Sequence, residues 1–532
     1  MYMIKKYVCL LMAMCLPLAF VACSGGDDPI EEPVVVPPSA DEEEEEEEAG
    51  EPEYYTSSEA YVNLFCYERM QYYYLWWKDI EVKTWPVSVD PVEKVKSIRY
   101  EEDRWTSVYE DISPLLSRAV ATSGTFGYDF QFYWADNSKT NVYAIVTMVY
   151  PGSPAEKAGL KRGSVIVKVN GRNILPTNED VDALLSSPAV QLTVAFSLAD
   201  YYRPAEVNLV AKDMYLDPVL YEKVFDCGGK KVGYVFFCDF TQDCCERLME
   251  VAKKFKQEGV TELILDLRYN LGGWVVTEEL LASMLAPEAE VKAGTLYQTT
   301  VYNDTPFAKD LEKSQGKDFS NVYFKTRHEW KSNDDTRHSY DTSNANIGLT
   351  KIYALVSGST ASASESILVG MMPFMDVEVI GTQTAGKYCS GISMSAEDYF
   401  KECEAYMAAL KKADLKAYAE YVDRVWRYFS NWRDYVGNWG LYVMVNTYAD
   451  RDGNNPCRPN GLAPDAEVED YPIDPYPLGD DREALLREAL MRAGYEDFTP
   501  LEGSKSRSAA VQLGEPVEVR HKEGRRILLR TE

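Results

Sequence analysis

Beyond Lys231 the apolar positions fall into short continuous runs separated by segments with helical spacing. KVGYVFFCDF, ELILDLR, KIYALVSG and VEVIG are the runs, and TQDCCERLMEVAKKFKQ, TEELLASML and SESILVGMMPF lie between them. Unbroken apolar strands alternating with helices predict a mostly parallel sheet covered by helices on both faces. Ligands of such sheets bind at the carboxyl ends of the strands. Two loops fall there: Arg268-Tyr269-Asn270-Leu271-Gly272-Gly273 after ELILDL, and Gly358-Ser359-Thr360-Ala361-Ser362-Ala363 after KIYALVS.

Upstream the period changes. Residues 119–210 predict strands at FGYDFQFYW, NVYAIVTMVY, SVIVKVNG and QLTVAFS, with a turn and short helix at PGSPAEKAG and a helix at NEDVDALLSS. Residues 54–118 carry aromatic and apolar residues at helical spacing in AYVNLFCYERMQYYYLWW and predict a small helical region. Within 211–500 the regular pattern is interrupted at 397–437. There Tyr399, Cys403, Met407 and Leu410, then Tyr418, Val422, Val425 and Phe429, predict a helical hairpin that either covers a site as a lid or packs as a helix pair. A basic tail occupies 501–532.

The N-terminus stands apart. Lys5 and Lys6 precede an apolar stretch over 7–22 that is too short to span a bilayer and ends at Ala22, the pattern of a signal peptide covering 1–22. Phe20-Val21-Ala22-Cys23 resembles a bacterial lipobox, which implies cleavage before Cys23 and lipidation of its thiol. Residues 24–53 contain 14 acidic residues and no Lys or Arg, so 23–53 reads as an extended, self-repelling tether. Removing those 14 charges from the formal −30 leaves −16, a moderately acidic remainder that argues against nucleic-acid binding. The expected place is the bacterial cell envelope, lipid-anchored at the outer membrane, with the lipid as the sole membrane contact.

Of 11 cysteines, eight lie beyond Cys23, without a C-x-x-C pair or a neighbouring histidine, so neither a metal site nor any other cofactor is expected; disulfides among them remain open. The three histidines are His328 and His338, in a polar, loop-like stretch, and His521 in the tail. A reactive serine in this chain is therefore expected to use a base other than histidine. Small residues between a buried strand and a helix N-terminus let a substrate backbone approach, and the helix dipole there favours developing negative charge. Ser362 at that point is either a helix cap or a nucleophile. For a nucleophile, the N–H of Ala363 and an N–H from Gly272 or Gly273 are the candidate oxyanion donors.

GSTASASE, with Lys387 in the GTQTAGK loop 25 positions beyond Ser362, resembles the C-terminal processing peptidases, also called tail-specific proteases, of peptidase family S41. Asp266 to Gly273 matches that family's D-L-R-x-N-x-G-G motif, and GLAPDAEV its closing segment. The resemblance implies Ser362 as nucleophile and Lys387 as base. A lysine serves as base only when burial pulls its pKa from about 10.4 toward neutrality, which VEVIG, Ala385 and Gly386 allow. The family often places a glutamine four residues after the lysine; position 391 is Gly, leaving Ser390 or Ser393 as candidates to orient Lys387. PGSPAEKAGLKRGSVIVKVNGR resembles a bacterial PDZ domain, which implies a groove at Gly127, Tyr128, Asp129 and Phe130, beside the 178–187 helix, for peptide C-termini. The expected architecture is thus multidomain α/β: an N-terminal helical region, a PDZ-like β-rich domain and an α/β serine protease core. The expected function is a serine endopeptidase that selects exported proteins by their C-terminal tails. The alternatives are an inactive peptide- or apolar-ligand-binding protein on the same fold, and a scaffold using its PDZ-like domain alone.

Overall fold

The computed structural model describes residues 55–499, apart from 81, 83–84, 118–121, 136–137, 198–202, 332–335, 423–425 and 474–475, together with the backbone of 519–520 and 526–527. The signal peptide, the tether, Cys23 and most of the tail lie outside the described residues. Among the described residues no helix is long and apolar enough to cross a membrane. The chain divides into two compact units. One collects residues up to 116, 300–320 and 389–447, and the other collects 117–299, 321–388 and the chain from 448 on.

Among its described residues the second unit contains two six-stranded sheets besides two-stranded ones. The larger orders its six strands Val219–Cys227, Lys230–Phe237, Val260–Asp266, Lys351–Val356, Asp376–Gly381 and Ala466–Glu467. The first two form a hairpin that turns at Gly228 and Gly229, both at positive φ as a tight turn between twisted strands requires. All later neighbours run parallel. The apolar runs ELILDL and KIYALV are buried on both faces because helices Cys245–Glu258, Val275–Leu285, Ala363–Met371 and Ala484–Ala493 supply the cover.

The smaller sheet is antiparallel, in the order Tyr128–Trp134, Val142–Val149, Val165–Val169, Ala189–Ala195 and Ala205–Val210, with the two-residue strand Arg172–Asn173 also paired to Val165–Val169. Its core brings Phe126, Tyr128, Phe130 and Phe132 against Val181, Leu184 and Leu185 of helix Asn178–Leu185. The stretch that reads as loop around the two histidines is instead a hairpin of Arg327–Lys331 with Arg337–Asp341. Polar residues alternate on it around a stack of Trp330 on His338, centroids 5.3 Å apart. Its strand signal is carried by cross-strand aromatic pairs rather than by apolar runs.

The first unit is where the helical interruption is found. Helices Ala396–Ala413 and Leu415–Tyr421 turn at Asp414, whose carboxylate accepts the N–H groups of Lys416 and Ala417 and so starts the second helix. Their aromatic face packs on helix Ser58–Tyr73: Phe400 lies 5.7 Å from Tyr61, Tyr399 lies 5.5 Å from Phe65, and the Tyr399 hydroxyl donates to the buried Glu68. The interruption is therefore a packing pair that completes the N-terminal helical region. That region is not helical throughout, since Ser107–Tyr109 pairs as a strand with Gly440–Tyr442.

Ser390, Gly391 and Ser393 lie on strand Cys389–Ser395 of the same unit, with a register shift between Ser390 and Gly391. A Cβ on Gly391 would sit 2.3 Å from Met444 Cε and 2.9 Å from both the Val443 carbonyl oxygen and Tyr442 Cζ. The space a glutamine side chain would leave from is filled by Met444 and Tyr442. Gly391→Gln is accordingly expected to lower stability by roughly 1–3 kcal/mol through overpacking, read as a shift of the urea midpoint.

Candidate active site

The parallel strands Val260–Asp266, Lys351–Val356 and Asp376–Gly381 deliver three loops to one edge of the larger sheet. The first two loops are stitched together by polar groups with no side-chain bulk to spare. Thr360 Oγ1 donates to the Leu267 carbonyl at 2.8 Å, the Ser357 hydroxyl to the Arg268 carbonyl, and Ala361 N–H and Ser364 Oγ to the Asn270 carbonyl at 3.1 Å each. Asn270 is fully buried and is held in turn through its amide, which donates to the Phe237 carbonyl. These bonds explain the small polar residues at three of these positions: the hydroxyls of Ser357, Thr360 and Ser364 each reach backbone of the facing loop, and a longer side chain there would separate the loops.

Ser362 sits half-buried at the N-cap of helix Ala363–Met371 with φ +58° and ψ −119°. Non-glycine residues rarely adopt this geometry, which costs on the order of 1–3 kcal/mol and recurs where a side chain must be presented on a sharp strand-to-helix turn. Ser362 does cap this helix, in a capping box with Glu365, but an ordinary cap has extended backbone, so capping alone does not account for the strain. Facing it is Gly272, at φ +88°. A Cβ there would lie 2.7 Å from Ser362 Cβ and 2.8 Å from the Ala363 nitrogen, so only glycine allows this approach.

The candidate oxyanion donors separate cleanly. Gly272 N–H is bonded to Asn270 Oδ1 at 2.8 Å, so it is not available to a substrate. Among the described residues no acceptor is found for the N–H of Ala363 or Gly273. These two can receive an anionic oxygen. The Gly272 side of the sequence expectation is corrected to Gly273, because a buried asparagine two residues upstream claims the other amide.

The third loop carries Lys387, which is half-buried. Glu365, fully buried one helical turn after Ser362, ties this loop to the Ser362 loop. Its Oε2 accepts Ser362 N–H at 3.0 Å and Lys387 N–H at 2.8 Å; its Oε1 accepts the Thr384 hydroxyl at 2.5 Å and Gly386 N–H at 2.7 Å. Burial pushes the Glu365 carboxyl up, while the Thr384 hydroxyl, the Gly386 and Ser362 amides and the Cys457 thiol restrain it. Tyr448 Oη donates to the Lys387 carbonyl at 3.3 Å. Ser390 and Ser393 lie on a strand of the other unit, as described above. The ring of His328 is buried with Nε2 3.0 Å from the Lys325 carbonyl oxygen, and burial lowers its pKa to about 4. His521 is outside the described residues. The eight described cysteines are buried and none is in a disulfide.

Behind the two loops lies a buried ionic cluster. Arg268 reaches Glu483 at 2.6 Å, Asp266 at 2.8 Å and Asp470 at 3.0 Å. Arg162 of the smaller-sheet domain joins it through Asp470 at 2.6 Å and through the Tyr269 hydroxyl. Arg268 holds Glu483 and, with Arg162, Asp470 below the usual carboxylate range against the cost of burial. The backbone just before Asn270 is thereby fixed from behind.

Glu278, on the helix after Gly273, is also buried, with Tyr297 Oη donating at 2.5 Å and Ser366 alongside. Burial pushes its carboxyl from 4.5 up to about 8. The folded protein then keeps a proton that the unfolded chain releases, so this group lowers stability as pH rises from about 4.5 to about 8, by up to about 1.4 kcal/mol per pH unit. Glu278→Gln is expected to flatten that part of the stability–pH curve measured by urea unfolding.

In the smaller-sheet domain, Tyr128 and Phe130 point into the core, and Tyr128 Oη donates to the Leu184 carbonyl of the flanking helix at 2.7 Å. Gly127 N–H is bonded to Thr125 Oγ1 at 3.1 Å. Asp129 faces away from that core on the terminal strand of the sheet. Of the predicted groove residues, Tyr128 and Phe130 are core packed with helix Asn178–Leu185, while Gly127 packs on Ser153 and Asp129 faces away.

A family model of peptidase family S41 matches residues 231–468, and one of the PDZ domain matches 145–196. A "Probable CtpA-like serine protease" of Staphylococcus aureus strain N315 is 26% identical over 261 residues, 49% of this chain and 45% of that protein. Its counterpart in Staphylococcus haemolyticus strain JCSC1435 is 27% identical over 259 residues, with the same shares. The chain spans about half the length of the curated relatives it matches. A crystal structure from Bacteroides fragilis NCTC 9343 assigned to the S41 proteases is similar in fold, with a TM-score of 0.56 at 23% identity, covering 84% of this chain and all of that one. This chain carries a PDZ domain followed by a peptidase family S41 domain.

Proposed function

We propose that the chain is a serine endopeptidase that forms an acyl-enzyme on Ser362 with Lys387 as its general base. The observation that carries this reading is the strained Ser362 at a helix N-terminus, opposite Gly272 and between the amides of Ala363 and Gly273. Ser362 Oγ attacks the scissile carbonyl carbon while Lys387 Nζ takes its proton. The tetrahedral oxyanion sits against Ala363 N–H and Gly273 N–H, reinforced by the helix dipole. As the carbon–nitrogen bond breaks, Lys387 returns the proton to the leaving amine. Water, deprotonated by the same lysine, then releases the acid and restores Ser362.

The PDZ domain supports selection of substrates by their C-terminal residues, through strand addition beside Tyr128–Trp134. The test compares one unfolded polypeptide with a free or an amidated C-terminus. A free carboxylate is expected to raise kcat/KM at least about 10-fold; equal values would remove tail selection and leave the peptidase. The charged and apolar pattern of 1–22, Cys23 and the acidic spacer support an exported, lipid-anchored protein. Cys23→Ala is expected to move it from the membrane fraction to the soluble fraction.

A further inference from the structure

One buried carboxylate meets both halves of the site. Glu365 is 0% exposed, and each of its oxygens accepts two hydrogen bonds. On Oε2 the two donors come from different loops: the Ser362 amide of the strained turn and the Lys387 amide of the base loop. On Oε1 the Thr384 hydroxyl and the Gly386 amide fix the residues just before Lys387. Thr384 is itself locked from the other side, since its Oγ1 accepts Leu462 N–H at 2.7 Å and its N–H donates to the Leu462 carbonyl at 3.1 Å. Gly386, at φ +78°, packs so closely on Asn460 and Gly461 that a Cβ would lie 2.7 Å from the Gly461 nitrogen. The base loop therefore has a rigid outer wall; on its inner side Ala385 N–H donates to the Thr360 carbonyl at 3.0 Å, and Glu365 is the side chain that binds both Ser362 and Lys387 at their amides.

A cap that served only the helix would bind its own N-cap amide and stop there. Glu365 does this through Ser362 and, with the same oxygen, holds the main chain of Lys387. An amide side chain could not replace it, because an NH2 group would face two donors at one of the two oxygens. Position 391, a glycine packed against Met444, offers no side chain to orient the lysine. The geometry points to Glu365 as the positioning residue of this site, the group that sets nucleophile and base in register by gripping both loops at their backbone.

The inference rests on the peptidase reading above, and its test separates the two. Full-length protein, wild type and Ser362→Ala, is assayed first on an unfolded polypeptide; wild type that does not cleave overturns the peptidase reading itself. Given cleavage that depends on Ser362, Glu365→Gln is expected to lower kcat about 100-fold or more with KM changed less than about 3-fold, because substrate contacts stay while alignment is lost. Thr384→Val, which removes one of the donors to Glu365, is expected to lower kcat about 10-fold, and Thr384→Ser, which keeps the hydroxyl, to restore it to within about 2-fold of wild type. Should Glu365→Gln fail to fold, the Thr384 pair decides. Folded variants with kcat within about 3-fold of wild type, a loss confined to KM, or a Thr384→Ser as slow as Thr384→Val would each overturn the positioning role while leaving the peptidase intact.

Discussion

Ser362→Ala is expected to reduce peptide-bond hydrolysis at least about 10³-fold, and Lys387→Ala by a comparable factor, with KM little changed in either. On the proposed mechanism the two groups act in one proton transfer, so the double variant is expected to be no slower than the slower single one. Lys387→Arg is expected to be as inactive as Lys387→Ala, since a guanidinium keeps the charge and the length but cannot give up its proton. Initial rates on an unfolded substrate check all four. A Lys387→Arg variant at wild-type rate would mean that the base lies elsewhere, and the half-buried placement of Lys387 on the Glu365-anchored loop would have to be structural.

The second large effect is expected on stability rather than on chemistry. Arg268 is fully buried and is the direct partner of Asp266, Glu483 and Asp470. Arg268→Met preserves much of the volume and removes the charge, leaving three buried carboxylates with Arg162 as the remaining cation, which reaches only Asp470. Removing one partner of a buried ionic group costs about 3–5 kcal/mol, and urea unfolding at pH 7.5 should show a loss of that order. The sign of the pH dependence is fixed by the same cluster. In the wild type, Glu483 and Asp470 titrate below their ordinary values, so they contribute stability above those values that is lost as pH falls, while burial raises Asp266, which contributes with the opposite sign. In the variant the unpaired carboxylates favour the protonated form and are relieved by acid. The gap between the two proteins should therefore narrow toward pH 5, and a gap that stays constant with pH would mean that packing, not charge, sets the cost.

The parts of this protein that were legible in its sequence are those where one physical demand writes a local pattern. ELILDL and KIYALV must be apolar throughout because they are covered on both faces, and the helices between them must fill both layers. The small residues of 357–364 are legible for the same reason, as nothing larger fits between two loops bonded through Thr360, Ser364 and Asn270. What the sequence hid are relations between distant positions. Whether Gly272 or Gly273 offers its amide depends on where the Asn270 side chain points, which spacing does not encode. Glu365 stands in plain view three residues after Ser362, yet its hold on Thr384, Gly386 and Lys387 appears only when the strand Asp376–Gly381 brings that loop alongside. The pairing of Tyr399 and Phe400 with Phe65 and Tyr61 joins segments more than 300 positions apart, so a hairpin with an apolar face could be read while its partner could not. The strands at 327–341 were missed because their alternation is of aromatic and charged residues, without the apolar run that marks a core strand.

The central claim is that Ser362 becomes covalently acylated during turnover. The most direct measurement is to mix full-length protein with an activated peptide ester, quench in acid within the first turnovers, and map the adduct by mass spectrometry. The account expects the mass of the acyl group on the peptide bearing Ser362, absent in Ser362→Ala and formed far more slowly in Lys387→Ala. Hydrolysis that proceeds with no adduct, or with an adduct on another side chain, would contradict it.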